Sequence, residues 1–149
     1  MLEQRIEQDL KTALLAGDKS KVTTLRGLKS VLLYAKVAAG TRDEGLSDEI
    51  VISILSKEAK KRQESADLYK QGGSQERADA ELAEKALIET YLPAQLDEAE
   101  LSKIVEAVIA DTGASGMADM GRVIGAVREK TQGAADGAVI ARLVKERLA

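Results

Sequence analysis

The sequence predicts an all-α protein of two modules: a four-helix N-terminal module over residues 1–92 and a smaller three-helix module over 93–149. Three observations lead there. Apolar residues recur every third or fourth position along most of the chain. Capping residues and glycines punctuate those runs. The only proline, Pro93, lies in Tyr91-Leu92-Pro93-Ala94-Gln95-Leu96, where it cannot continue a helix and disfavours helical geometry at Leu92.

In the first helix, Leu2, Ile6, Leu10 and Leu14 recur every fourth residue, and Gly17 ends it. Asp18 or Ser20 caps the second, whose stripe is Val22, Leu25, Leu28, Leu32 and Ala35, ending near Ala39-Gly40. Thr41 to Leu46 is a polar loop. Ser47 caps the third helix, with Asp48 and Glu49 in its first turn, where acids favour the positive end of the helix dipole. Its apolar positions are Val51, Ile54, Leu55, Ala59, Ala66, Leu68 and Tyr69, and Gly72-Gly73 breaks it. Ser74 caps the fourth, which carries Ala78, Leu82, Ala86, Leu87 and Tyr91.

Beyond Pro93, Asp97 and Glu100 come close to a capping box for the fifth helix, with Leu101, Ile104, Val105, Val108 and Ile109 as its stripe and Gly113 as its stop. Met117, Met120, Val123, Ile124 and Val127 form the next stripe, closed by Gly133. Asp136 caps the last, with Val139, Ile140, Leu143, Val144 and Leu148. Nothing reads as a strand, because the short Val/Ile runs keep helical spacing and are flanked by caps rather than hairpin turns.

Composition excludes several chemistries. The chain has no Cys and no His, so it has no disulfide, zinc finger, thiol nucleophile or Ser-His-Asp triad. No Asp cluster has calcium-loop spacing, and no metal or cofactor is expected. Three Tyr are the only aromatics, too few for a base-stacking sheet. Net charge is −3, from 22 basic and 25 acidic residues, which argues against coating nucleic acid by bulk charge. DNA is not an expected partner. The N-terminus lacks a signal-peptide pattern, and no apolar run approaches the ~20 residues that span a bilayer. The expectation is a cytoplasmic protein with no membrane partner.

Local basic features remain. Lys57, Lys60, Lys61 and Arg62 form a ridge on the third helix. Such a ridge can meet phosphates, with Arg62 bonding in bidentate fashion. The residues alone favour a solvated face with Lys57–Glu64 and Lys60–Glu64 pairs, each worth tenths of a kcal/mol, because intervening acids dilute the field. A second row runs Lys19, Lys21, Arg26, Lys29 and Lys36; an inward Arg26 would need an acid such as Glu58 or Glu64. Gly121 and Gly125 lie four apart on one helix face. Each costs ~1 kcal/mol of helix propensity relative to Ala, so tight helix packing or a nucleic-acid backbone should compensate. No Gly-Lys-Ser/Thr phosphate loop and no recognisable acid/base carboxylate pair is present, so no catalytic residue is assigned.

Five stretches carry a resemblance. They are Leu25-Arg26-Gly27-Leu28-Lys29-Ser30; Lys61-Arg62-Gln63-Glu64-Ser65-Ala66-Asp67-Leu68-Tyr69 with Gly72-Gly73; Tyr91 to Leu96; Met120-Gly121-Arg122-Val123-Ile124-Gly125; and Gly133-Ala134-Ala135-Asp136-Gly137. In this order and spacing the chain resembles a stand-alone GatB/YqeY protein over nearly its full length. The resemblance implies a two-module helical fold, similar to the C-terminal tail of the B subunit of the glutamine-dependent Glu-tRNA(Gln)/Asp-tRNA(Asn) amidotransferase. There the tail resembles an arm that holds tRNA, while the amide chemistry lies in other domains. A carbon–nitrogen ligase label would therefore be inherited from the larger relative.

What the resemblance implies here is tRNA binding, or membership of a tRNA-charging or amidotransferase complex. Arg26, Lys29, Lys57, Lys60, Lys61, Arg62, Arg122 and Lys130 are the candidate RNA-contacting residues. Ser30, Ser65, Tyr69, Gly121, Gly125 and Gly133 are structural or close-approach positions, with Thr131 in the same tail motif. One departure is visible: the family tail tends to be basic before its final glycine, where this chain has Glu129 and Gln132 around Lys130. The alternative is a protein-interaction module with no RNA role, which the acidic composition favours.

Overall fold

A computed structural model of the chain describes all of residues 1–149. It contains seven α-helices and no strand: α1 (Leu2–Ala16), α2 (Lys19–Ala39), α3 (Asp48–Gln71), α4 (Gln75–Glu89), α5 (Glu98–Thr112), α6 (Met120–Thr131) and α7 (Gly137–Leu148). A short 3-10 turn, Met117–Asp119, precedes α6. The chain divides into two compact units, Met1–Leu92 and Pro93–Ala149.

In the first unit the helix ends follow from local chemistry. Gly17 and Gly40 adopt the left-handed conformation that a side chain resists, closing α1 and α2. Asp18, not Ser20, caps α2 by accepting from the Lys21 amide at 3.1 Å. Ser47 caps α3 by accepting from the Ile50 amide. Ser74 occupies the cap position of α4 but makes no side-chain cap bond. The core joins Ile6, Leu10 and Ala13 of α1 to Leu25, Leu28 and Leu32 of α2, Val51, Leu55 and Ala59 of α3, and Ile88 and Tyr91 at the end of α4. Leu14, read as part of the apolar stripe, is half-exposed; Ala13 takes the buried place.

Beyond Ala59 and before Ile88, α3 and α4 continue together with small residues between them. Ala66 and Ala78 are fully buried there. Leu68, also expected to face inward, is exposed. Polar contacts take over in this stretch and are described with the site.

The second unit packs Leu101, Val105 and Val108 of α5, Val123 and Val127 of α6, and Ile140, Leu143, Val144 and Leu148 of α7 into one cluster. Asp97 and Glu100 form a full capping box at the start of α5. Asp136 caps α7 by accepting from the Ala138 amide at 2.7 Å. Two boundaries differ from the sequence reading. Met117 lies in the 3-10 turn rather than in α6. Gln132, with φ 47°, ends α6 one residue before Gly133.

Candidate nucleic-acid interface

The expected ridge on α3 is divided by a buried carboxylate. Glu58 is buried in the first unit, and a buried anion requires partners. Arg62 supplies one: its Nη1 donates to Glu58 Oε2 at 3.1 Å, and its Nε donates to Glu84 Oε2 on α4 at 3.0 Å. Glu81 lies 3.8 Å from the same Nε. Three carboxylates thus surround one guanidinium, and Arg62 joins α3 to α4 instead of standing free for phosphate. Lys61 Nζ donates to Glu58 Oε1 at 3.0 Å. Lys57 and Lys60 are exposed and make no salt bridge within their unit. The expected Lys57–Glu64 and Lys60–Glu64 pairs do not form.

One motif residue, Tyr69, supports the same helix pair. Tyr69 is half-buried, with the Arg77 guanidinium 5.9 Å from its ring centroid. Ser65 is half-buried one turn earlier. Lys85 on α4 donates to Gln63 Oε1 at 2.9 Å. These contacts replace a large apolar core along this stretch.

On α2, Arg26 and Ser30 are exposed, and Arg26 makes no salt bridge within its unit. It faces outward, so the partner expected of a buried Arg26 is not needed. Lys29 donates to Glu7 Oε1 at 2.9 Å, and that bond holds the Glu7 carboxyl below its ordinary pKa. Lys36 is bonded to Glu3. Burial pushes the Glu3 carboxyl up, but the Lys36 bond and the Leu46 amide outweigh it and leave it below the ordinary value. A shallow groove of about 100 Å³ runs between α1 and α2, floored by Ile6 and Leu32 and edged by these two ion pairs. It is smaller than the ~300–1,000 Å³ of typical ligand pockets. A signal that the sequence reading passed over is the absence of acids. Lys19–Ala39 contains none, and from Leu10 to Arg42 the single acid is Asp18 against Lys11, Lys19, Lys21, Arg26, Lys29, Lys36 and Arg42.

On α6, Gly121 and Gly125 are exposed, and a Cβ added at either would meet nothing within 4 Å. The tight helix packing expected to compensate them is absent. Arg122 is bonded to Asp119 at 2.9 Å, and Lys130 lies 3.6 Å from Asp111. Gly133 has φ 85° and its carbonyl accepts from the Gln95 side chain at 3.3 Å. Thr131 is buried, donating to the Arg128 carbonyl.

Arg128 was missed. It stands three residues beyond Gly125 and seven beyond Gly121, on the same helix face. It is exposed, makes no salt bridge within its unit, and lays its Nη2 2.6 Å from where a Cβ on Gly137 would stand. The glycine spacing extended by one turn would have found it. No cluster of His, Cys, Asp or Glu is placed to hold a metal ion. No helix is long and apolar enough to cross a membrane.

Comparison with known proteins decides the family. The Yqey-like protein model matches residues 3–148. The chain belongs to the YqeY-like family. A relative in Eremothecium gossypii, "Altered inheritance of mitochondria protein 41, mitochondrial", is 34% identical over 89 residues. That match covers 60% of this YqeY-like chain and 48% of the relative, so the chain matches about half of that protein's length.

Proposed function

We propose that this YqeY-like protein is a non-catalytic tRNA-binding accessory protein, working beside a tRNA-charging or amidotransferase complex. The observation that carries the reading is the charge of α2. In a chain of net charge −3, this 21-residue helix has five cations and no acid. Its Arg26 is exposed and unpaired within its unit. Exposed guanidinium and ammonium groups meet phosphates without reading bases, which suits recognition of folded RNA by shape and backbone.

Two further features support it. Lys57 and Lys60 are exposed cations of the α3 motif. The bare Gly121–Gly125 face of α6 keeps a propensity cost that no packing inside its unit offsets, and it leads to Arg128. The roles first assigned to Lys29, Lys61, Arg62, Arg122 and Lys130 are narrowed, because each already bonds or faces a carboxylate.

The test is binding of purified protein to total tRNA, with duplex RNA as control, across a salt series. Saturable binding that weakens with salt is expected, and Arg26→Glu should weaken it at least tenfold. Affinity unchanged by Arg26→Glu and by Lys57→Glu/Lys60→Glu would sink the reading. A second reading, a protein-docking module with no RNA role, is favoured by exposed Leu33, Tyr34 and Val37 on α2. A partner retained after nuclease treatment separates the two.

A further inference from the structure

We infer that the turn between α1 and α2 is a membrane-surface anchor that inserts Leu14 and Leu15 among anionic lipid headgroups. Leu15 is 92% exposed and Leu14 47% exposed, side by side at the end of α1. Leu15 is the most exposed leucine of the chain, and the turn beside it is predominantly basic. Lys11 lies one helical turn before Leu15, and Lys19 and Lys21 open α2. None of the three makes a salt bridge within its unit. Of the acids nearby, Asp18 caps α2 by accepting from the Lys21 amide, and Glu7, one turn before Lys11, is bonded to Lys29, so the three lysines leave the turn net positive. The charge therefore complements an anionic surface, and the apolar pair is placed to pass beneath it.

The backbone suits shallow insertion. The Gly17 amide donates to the Leu14 carbonyl at 3.3 Å, and the Asp18 amide donates to the Ala13 carbonyl at 3.1 Å. A turn whose amides are already bonded loses less on leaving water than an open loop does. Ile6, Leu10 and Ala13 bury the core side of α1, with Leu14 at its half-open edge and Leu15 facing away from it, so insertion of Leu15 needs no unfolding. Each leucine entering the acyl boundary should strengthen binding about tenfold, and each lysine near anionic lipid about fivefold. RNA gives the lysines a role but gives two exposed leucines none. The inference does not depend on the tRNA reading.

The experiment is flotation of the full chain with phosphatidylcholine vesicles, with and without phosphatidylglycerol. The protein contains no Trp, so Leu15→Trp adds a single reporter of insertion. Binding only to the phosphatidylglycerol vesicles is expected, with a blue shift of that Trp. Leu14→Ser/Leu15→Ser should weaken binding at least tenfold at unchanged Tm, and Lys11→Gln/Lys19→Gln/Lys21→Gln should abolish it. The inference is overturned by three results: equal binding to both vesicles, no binding to either, or a serine variant that binds as the parent does. Loss of tRNA affinity in the lysine variant, with no vesicle binding by the parent, would make the turn an RNA surface instead.

Discussion

The Tyr91 hydroxyl donates to Asp9 Oδ2 at 2.5 Å, tying the last residues of the first unit to α1. Tyr91 is buried, and the Arg5 guanidinium lies 4.7 Å from its ring centroid. The contact fixes the chain two residues before Pro93. Burial, then the bond to Asp9, holds the phenol far above its ordinary pKa.

Removing that hydroxyl should destabilise the fold. Tyr91→Phe keeps the ring in the core but strands Asp9, at a cost of about 1–2 kcal/mol. The sign of the pH dependence follows from the raised pKa: the folded phenol holds its proton where the unfolded one releases it. The contribution is full below about pH 10, the ordinary tyrosine value, and declines above it. Urea unfolding of both proteins from neutral to alkaline pH checks this. The gap between them should be constant below that value and narrow above it.

Arg62 separates a structural cation from an RNA contact. Arg62→Ala leaves Glu58 buried beside Lys61 alone, and should cost about 2–3 kcal/mol. Glu58→Gln/Arg62→Met should recover part of that loss, because it removes the stranded charge. Thermal unfolding reads both. Arg26→Glu, on an exposed side chain, should leave Tm nearly unchanged while altering tRNA affinity. A large fall in Tm for Arg26→Glu would contradict its outward placement.

Most of the fold was legible because helical periodicity and caps are local. Asp97 with Glu100, Asp136, Gly17 and Gly40 all act where the sequence placed them. Legibility failed where a choice depended on another helix. Leu14 and Leu68 fit their stripes, yet nothing packs over them to exclude water. Arg62 looked like one of four similar cations. Only the arrival of Glu81 and Glu84 from α4, beside buried Glu58, makes it internal. Spacing within one helix cannot report that. Arg128 is legible in the spacing, since it follows Gly121 and Gly125 at seven and three residues on one helix face.

Glu3 gives an acid-side test. Its carboxylate accepts from the Leu46 amide at 3.1 Å and is bonded to Lys36, so one side chain anchors the 41–46 loop and the end of α2. With its pKa below the ordinary carboxylate value, its contribution is present above that value and lost as pH falls through the folded pKa. Glu3→Ala should cost about 1–2 kcal/mol at neutral pH. The difference from the parent protein should vanish in acid. A gap that persisted at low pH would mean that packing, not the charge, holds the loop.

The glycines of α6 permit opposite effects on stability and binding. Neither Gly121 nor Gly125 has a positive φ, and a Cβ at either meets open space. Gly121→Ala and Gly125→Ala should therefore each stabilise the second unit, by about 0.5–1 kcal/mol, through helix propensity alone. If a phosphate backbone lies on this face, the added methyl groups hold it off, and tRNA affinity should fall as Tm rises. Calorimetry and tRNA binding on both variants decide the point. Higher Tm with unchanged affinity at Gly121 and Gly125 would take α6 out of the RNA interface and leave it to α2 and α3.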